Sequence, residues 1–175
     1  MADREIAEIK RVFVSRLDTL AHILDTGARH IEDFDATLQA RLAPDMAPLG
    51  TQVVFACNQP HGFAWWCAGL PVENLPPEVA SLALAREHIQ RTREQVAAID
   101  AQDERLDQVK RIVVGPDRYC DLPGRQYVGD FLLPNFYFHI SMAYAILRHL
   151  GVPLGKADYM AFLVPLVRVG NPAGK

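Results

Sequence analysis

Apolar residues recur at helical spacing in four stretches of the chain. Ile6, Ile9, Phe13, Leu17, Leu20 and Leu24 form the first stripe, with Lys10, Arg11 and Asp18 off it. This predicts a helix from about Arg4 to Leu24, with Gly27 as its stop. A short helix follows, from Asp33 or Asp35 to Leu42, because either carboxylate can accept from the orphan N–H groups of a first turn. It ends at "APDMAP", where Pro44 and Pro48 cannot sit inside a hydrogen-bonded helix. The second long stretch starts near Pro48 and runs to about Leu70. Leu49, Val53, Ala56, Cys57, Phe63, Ala64 and Cys67 are its inner stripe, Gln52 lies at the edge of that stripe, and Pro60 is expected to kink or split it. "GLPVENLPPE" reads as a loop. The third helix, about Glu78 to Ile99, turns Leu82, Ala85, Ile89, Val96 and Ile99 inward and leaves the charged run "REHIQRTREQ" as a solvated face. "AQDERLDQVK" either continues it or is a loop.

Residues 111–130 break the helical pattern. "RIVV" is β-branched, Gly115-Pro116-Asp117 is turn chemistry, and Gln126-Tyr127-Val128 is a second β-prone run, so a small hairpin-like insertion is expected. The fourth helix begins at Pro134, a favourable first-turn residue. At about 100° per residue, Asn135, His139, Ala143, Ile146 and Leu150 share one face. Phe136, Ile140 and Leu147 flank it on one side, Phe138 and Met142 on the other, and Tyr137, Ser141, Tyr144 and Arg148 lie opposite. The apolar face is therefore expected to centre near His139. Four principal helices joined by short loops, with one longer connection between the third and fourth, describe an all-α four-helix bundle with short extra helices. We expect one domain over residues 1–162 and a tail over 163–175.

Composition narrows the function classes. Of 175 residues, 50% are apolar and 22% charged, enough for a full core. The net charge of −3 gives no basic surplus for a nucleic acid. The charged start "MADREIAEIKRVF" has no signal-peptide core, and no apolar run approaches the roughly 20 residues that span a bilayer. A soluble cytoplasmic protein is expected, with no nucleic-acid or membrane partner. Cys57, Cys67 and Cys120 form no C-x-x-C pair and read as reduced thiols, Cys57 and Cys67 as core fillers.

Two polar residues on an inward face demand an explanation, since an unpaired buried polar group costs roughly 1–3 kcal/mol. Asn135 and His139 are one turn apart and their side chains meet on one face. They either bond to other helices or bind something; imidazole is a good ligand for zinc, nickel or iron. His149 suits helix capping. His22, His30 and His88 show no ligand spacing and read as surface or edge residues, and His61 reads as structural, with a cavity as its alternative. Arg148 and Asp158 are expected to pair across "LGVPLGKAD" as scaffolding.

The stretch "LPNFYFHISMAYAILRHLGVPLGKADYM" resembles the C-terminal signature of an uncharacterised, domain-of-unknown-function family within the DinB/YfiT-like superfamily. "RLAPDMAPLGTQVVFA", Arg41 to Ala56, is similar to that family's other strong segment. The match extends over roughly residues 4–162. The resemblance implies a DinB-like bundle and a homodimer. It also implies a superfamily site in which three histidines hold a divalent metal, one from the second helix and two from an H-x-x-x-H on the last. Here Asn135-x-x-x-His139 stands where H-x-x-x-H would be, and Gln52 occupies the approximate place of the first histidine. Gln52, Asn135 and His139 are thus the candidate ligand-binding residues; no catalytic residue is assigned.

Three readings follow. In the first, no cofactor is expected and the Gln52/Asn135/His139 cluster binds a small molecule or is purely structural. In the second, the chain is a divergent divalent-metal-dependent enzyme, a thiol-dependent transferase or a hydrolase, with His139 as chief ligand for zinc or nickel. The third makes it an interaction module built for dimerisation.

Overall fold

The computed structural model describes residues 4–170; residues 171–175 of the expected tail lie outside the described residues. Four long helices pack around one apolar core: α1 (Glu5–His30), α3 (Leu49–Cys67), α4 (Leu82–Ala97) and α6 (Leu133–His149). Between them lie a single turn, α2 (Phe34–Thr37), a two-stranded antiparallel hairpin, β1 (Val109–Gly115) and β2 (Arg118–Pro123), and the short helices α5 (Gly124–Gln126) and α7 (Lys156–Tyr159). Helix α3 packs against both α4 and α6, and α1 packs against the same two from the other side. An inner helix must be apolar on most of its circumference. Accordingly α3 buries Leu49, Val53, Val54, Ala56, Cys57 and Phe63, residues from all around it.

Several boundaries differ from the expected ones, each for a physical reason. Helix α1 runs through Gly27 to His30. Gly27 is not a stop but a close-packing position, since a Cβ there would lie 2.6 Å from the Phe34 ring and 3.1 Å from a Leu147 methyl. Helix α3 continues unbroken through Pro60, which is buried; packing on several sides holds the helix despite the missing N–H. Helix α4 starts later than Glu78, at Leu82, where the Ser81 hydroxyl accepts from the Leu84 N–H at 3.2 Å and the Asp35 carboxylate accepts from the Leu82 N–H at 2.7 Å. The short helix capped by Asp33 stops at Thr37, well before Leu42.

The hairpin is present, but its second strand is Arg118–Pro123, not Gln126–Val128. Gly115 at φ 144° and Asp117 at φ 55° close its turn. Gln126 ends α5, and Tyr127–Leu132 form wide π-helical turns that run on into α6, making one helical rod from Gly124 to His149. Burial overrides β propensity here: Tyr127 and Val128 enter the core, with the Tyr127 ring edge-on to Trp66 at 5.4 Å.

The inward face of α6 is also rotated. Phe136, Ile140, Ala143, Ile146 and Leu147 are buried, whereas Leu150 is 41% exposed and His139 is half-buried at the edge of the buried strip. The cause is that α6 is covered on two sides. Helix α3 lies on the His139 side. On the other, the Arg16 Nε donates to the Tyr137 hydroxyl at 3.2 Å, Ser141 bonds Tyr159 at 3.0 Å, and the Tyr144 hydroxyl donates to the Leu154 carbonyl at 3.4 Å.

Candidate functional site

The seam between α3 and α6 brings Gln52 and His139 together across 87 residues of sequence: His139 Nδ1 lies 2.8 Å from Gln52 Oε1. Gln52 is only 2% exposed, and its amide cannot turn, because its Nε2 donates to the Ala47 carbonyl at 3.1 Å. A backbone carbonyl accepts and never donates. The chain of consequences is fixed: the amide nitrogen faces Ala47, the amide oxygen faces His139, and the ring carries its hydrogen on Nδ1. Its Nε2 then presents a lone pair, for which the described residues supply no partner and which is not sealed from solvent. Burial lowers the imidazole pKa to about 4, so the ring is neutral at ordinary pH. Phe55 and Phe138 stand edge-on to it, each 5.2 Å between ring centres.

Asn135 is one turn away but bonds to neither. Its Nδ2 donates to the Phe131 carbonyl at 2.6 Å, a local bond to the preceding turn. Its Oδ1 has no partner among the described residues. The site therefore offers two acceptors on one helical face, His139 Nε2 and Asn135 Oδ1.

This donor set does not fit a three-histidine metal site. It supplies one imidazole nitrogen and one neutral amide oxygen, while the Gln52 oxygen is already engaged by His139; tight divalent sites use several His, Cys or carboxylate ligands. Among the described residues, no group of three or more His, Cys, Asp or Glu side chains could hold a metal ion.

The remaining candidates sort as follows. Asp158 pairs with His22 Nε2 at 2.9 Å and not with Arg148, whose guanidinium donates to the Val152 carbonyl. The short "GVPLG" turn brings α7 against α1, so the nearer base wins. Cys57 is buried and Cys67 half-buried, and burial pushes their thiols up to about 12 and about 11, which leaves both unreactive. His61 is 4% exposed, bonded to the Glu73 carbonyl and the Gln95 side chain. His88, expected at the surface, is only 9% exposed. The charged run "REHIQRTREQ" hides an inward stripe, His88, Thr92 and Gln95 at spacings of four and three, that the wheel reading of α4 would have caught had polar residues been counted with apolar ones.

No helix among the described residues is long and apolar enough to cross a membrane. No curated protein sequence matches the chain. Among solved structures, a DinB family member from Shewanella denitrificans is 29% identical, with a TM-score of 0.74, over 86% of this chain and 88% of that one. The mostly helical fold with its small hairpin is thus DinB-like. Residues 8–160 match the domain of unknown function DUF1993, and the chain belongs to that DinB-like family.

Proposed function

We propose that this protein binds a small hydrogen-bond-donating molecule at the α3–α6 seam, without a complete three-histidine metal site. One observation carries the reading: the Ala47–Gln52–His139 relay holds the imidazole in a single tautomer with Nε2 unprotonated and open. No group among the described residues uses that acceptor, so a donor arriving at the seam can take it. With Asn135 Oδ1 as a second acceptor and Phe55 and Phe138 as apolar walls, the fitting ligand is an amide, amine or alcohol with an apolar flank. The wider frame of this reading is a four-helix bundle forming one domain over residues 1–162, cytoplasmic and homodimeric, with 163–175 as a tail.

Long-range ¹H–¹⁵N spectra of histidine-labelled protein test it, with benzamide and benzyl alcohol as probes. The expected result is a Nδ1–H tautomer for His139 and a shift of its Nε2 resonance on titration, lost in His139→Phe. A Nε2–H tautomer, or no shift with either probe at millimolar concentration, would overturn it.

The second reading, a divergent divalent-metal-dependent transferase or hydrolase, is favoured by the same lone pair, since Nε2 and Asn135 Oδ1 could bind one ion from adjacent turns. Elemental analysis after chelator-free purification separates the two. Stoichiometric zinc or nickel, absent from His139→Ala, would establish the metal reading and displace the first.

A further inference from the structure

On the opposite side of α3, facing α4, lies a crevice that the Gln52–His139 pair does not reach. Its polar end is a cavity of about 180 Å³ lined by His61, Trp65, His88, Arg91, Thr92 and Gln95, with Glu73 on the loop above. Its more apolar end is a cavity of about 390 Å³ lined by Ala64, Cys67, Ala68, Ala98 and Ile99, with Asp100 as its one acidic residue. The two adjoin, because Trp65 and Gln95 line both. The larger falls within the roughly 300–1,000 Å³ of small-molecule sites.

Most polar groups here are already fixed. His61 is held by the Glu73 carbonyl at 3.0 Å and the Gln95 side chain at 2.8 Å, and the Thr92 hydroxyl faces the Cys57 thiol. His88 is the exception. It is nine-tenths buried, lines the cavity, and neither ring nitrogen has a partner among the described residues. Its ring nitrogens are not sealed from solvent, so a ligand entering the cavity can reach them. Arg91, three residues on and so on the same face of α4, has only a long 3.4 Å contact to Glu87. An unpartnered imidazole and a barely engaged guanidinium at one cavity wall form a donor pair suited to an anion. Glu73 at this end and Asp100 at the other are acidic residues of the lining, which weighs against a doubly charged ligand. Beyond the pair, the half-buried Trp65 indole leads to the apolar end.

We propose that the α3–α4 crevice binds a small aromatic monocarboxylate, its carboxylate on His88 and Arg91, its ring against Trp65 and its far edge over Ala64, Ala68 and Ile99. This site is independent of the α3–α6 seam and stands or falls separately.

Isothermal titration calorimetry of the full chain with 2-naphthoate and its neutral counterpart 2-naphthamide tests the proposal. The expected result is one naphthoate per chain, with affinity weakened about tenfold or more in Arg91→Gln, in His88→Gln and for the amide, since a charge-assisted hydrogen bond is worth about that factor. His139→Phe leaves the affinity unchanged. Arg91 is exposed, so Arg91→Gln should fold normally and keeps the test decisive if His88→Gln does not fold. Equal binding of naphthoate and naphthamide, unchanged affinity in Arg91→Gln, or no heat at millimolar naphthoate would overturn the proposal.

Discussion

His139 owes its tautomer to Gln52, and Gln52 owes its orientation to a backbone carbonyl, so the two residues should fail differently. Gln52→Leu removes the acceptor of the Nδ1–H and the donor to the Ala47 carbonyl at once. We expect a loss of about 1–3 kcal/mol in urea denaturation, the range for leaving buried polar groups unpaired. His139→Phe removes the titrating group itself and reports on pH. The ordinary pKa is 6.5 and burial lowers it to about 4; the neighbours Gln52, Phe55 and Phe138 carry no charge. The unfolded ring takes up its proton near 6.5 while the folded ring waits until about 4. The neutral ring's contribution is therefore complete at pH 7 and above, and is lost as pH falls across that window. Wild type should lose roughly 2 kcal/mol more than His139→Phe between pH 7 and pH 4; parallel pH profiles for the two proteins would refute the buried neutral ring. At this scale the family resemblance named Gln52 and His139 as candidates, but nothing in the sequence showed that they face each other or how they are wired. Asn135 was expected beside His139 and does sit one turn away, but its donor is taken by Phe131. A bond to a carbonyl four residues back is invisible in helical spacing alone.

The long helices could be read from periodicity because each buries a stripe, and the hairpin's first strand and turn from "RIVV" and Gly115-Pro116-Asp117, but its second strand, Arg118–Pro123, could not. What periodicity could not give was contact between elements. Gly27 has the form of a helix stop and acts as a contact point; Gly124 looks like a turn residue after the hairpin and acts as another. At an exposed helical position, Gly→Ala would stabilise by about 1 kcal/mol. Here the contacts reverse the sign. A Cβ on Gly27 would meet the ring edge of Phe34 and a Leu147 methyl, side-chain ends that can yield a little. A Cβ on Gly124 would lie 2.6 Å from the Trp66 ring, 2.7 Å from the Leu106 carbonyl oxygen and 2.9 Å from the Leu106 Cα, which is backbone and cannot move cheaply. Both variants should be destabilised, within the roughly 1–3 kcal/mol typical of overpacking, with Gly124→Ala the worse of the two. Thermal melts of both checks the order; a stabilised Gly27→Ala would show that α1 and α6 have more slack at this contact than the distances imply.

Across the whole molecule, the connection between α4 and α6 also fastens the start of the chain. Helix α1 has no side-chain cap of its own at Arg4. The missing acceptors come from Asp103, in the 3₁₀ turn (Asp103–Asp107) before the hairpin: its carboxylate accepts from the backbone N–H groups of Arg4, Glu5 and Ile6 at 2.9–3.1 Å. Arg125, at the base of the helical rod, reinforces the same junction by pairing with both Glu5 and Asp107. At the far end, the Arg16 guanidinium lies 3.6 Å over the Phe162 ring, so the segment after α7 is laid back along α1. These links do not show in a single sequence: Asp103 to the start of α1, Arg125 to Glu5 and Arg16 to Phe162 each join residues about 100 or more positions apart, and Arg125 and Asp107, 18 apart, read as ordinary surface charges. The hydrogen bonds from Ile6, then Glu5 and Arg4, hold the Asp103 carboxyl below its usual range. Its contribution is therefore present at neutral pH and is lost as pH falls through the lowered folded value. Asp103→Ala should fray the first turn of α1 without unfolding the core. The amide protons of Arg4, Glu5 and Ile6 should exchange with solvent much faster, while those of Phe13 to Leu24 stay protected. Asp103→Asn, which keeps one amide oxygen as acceptor but loses the charge facing the helix dipole, should fall between the two proteins. Hydrogen exchange read residue by residue distinguishes this from a general loss of stability, because a cap supplied from so far along the chain should protect only the turn it covers. Equal acceleration along the whole of α1 would mean that the Asp103 junction instead holds the entire helix in place.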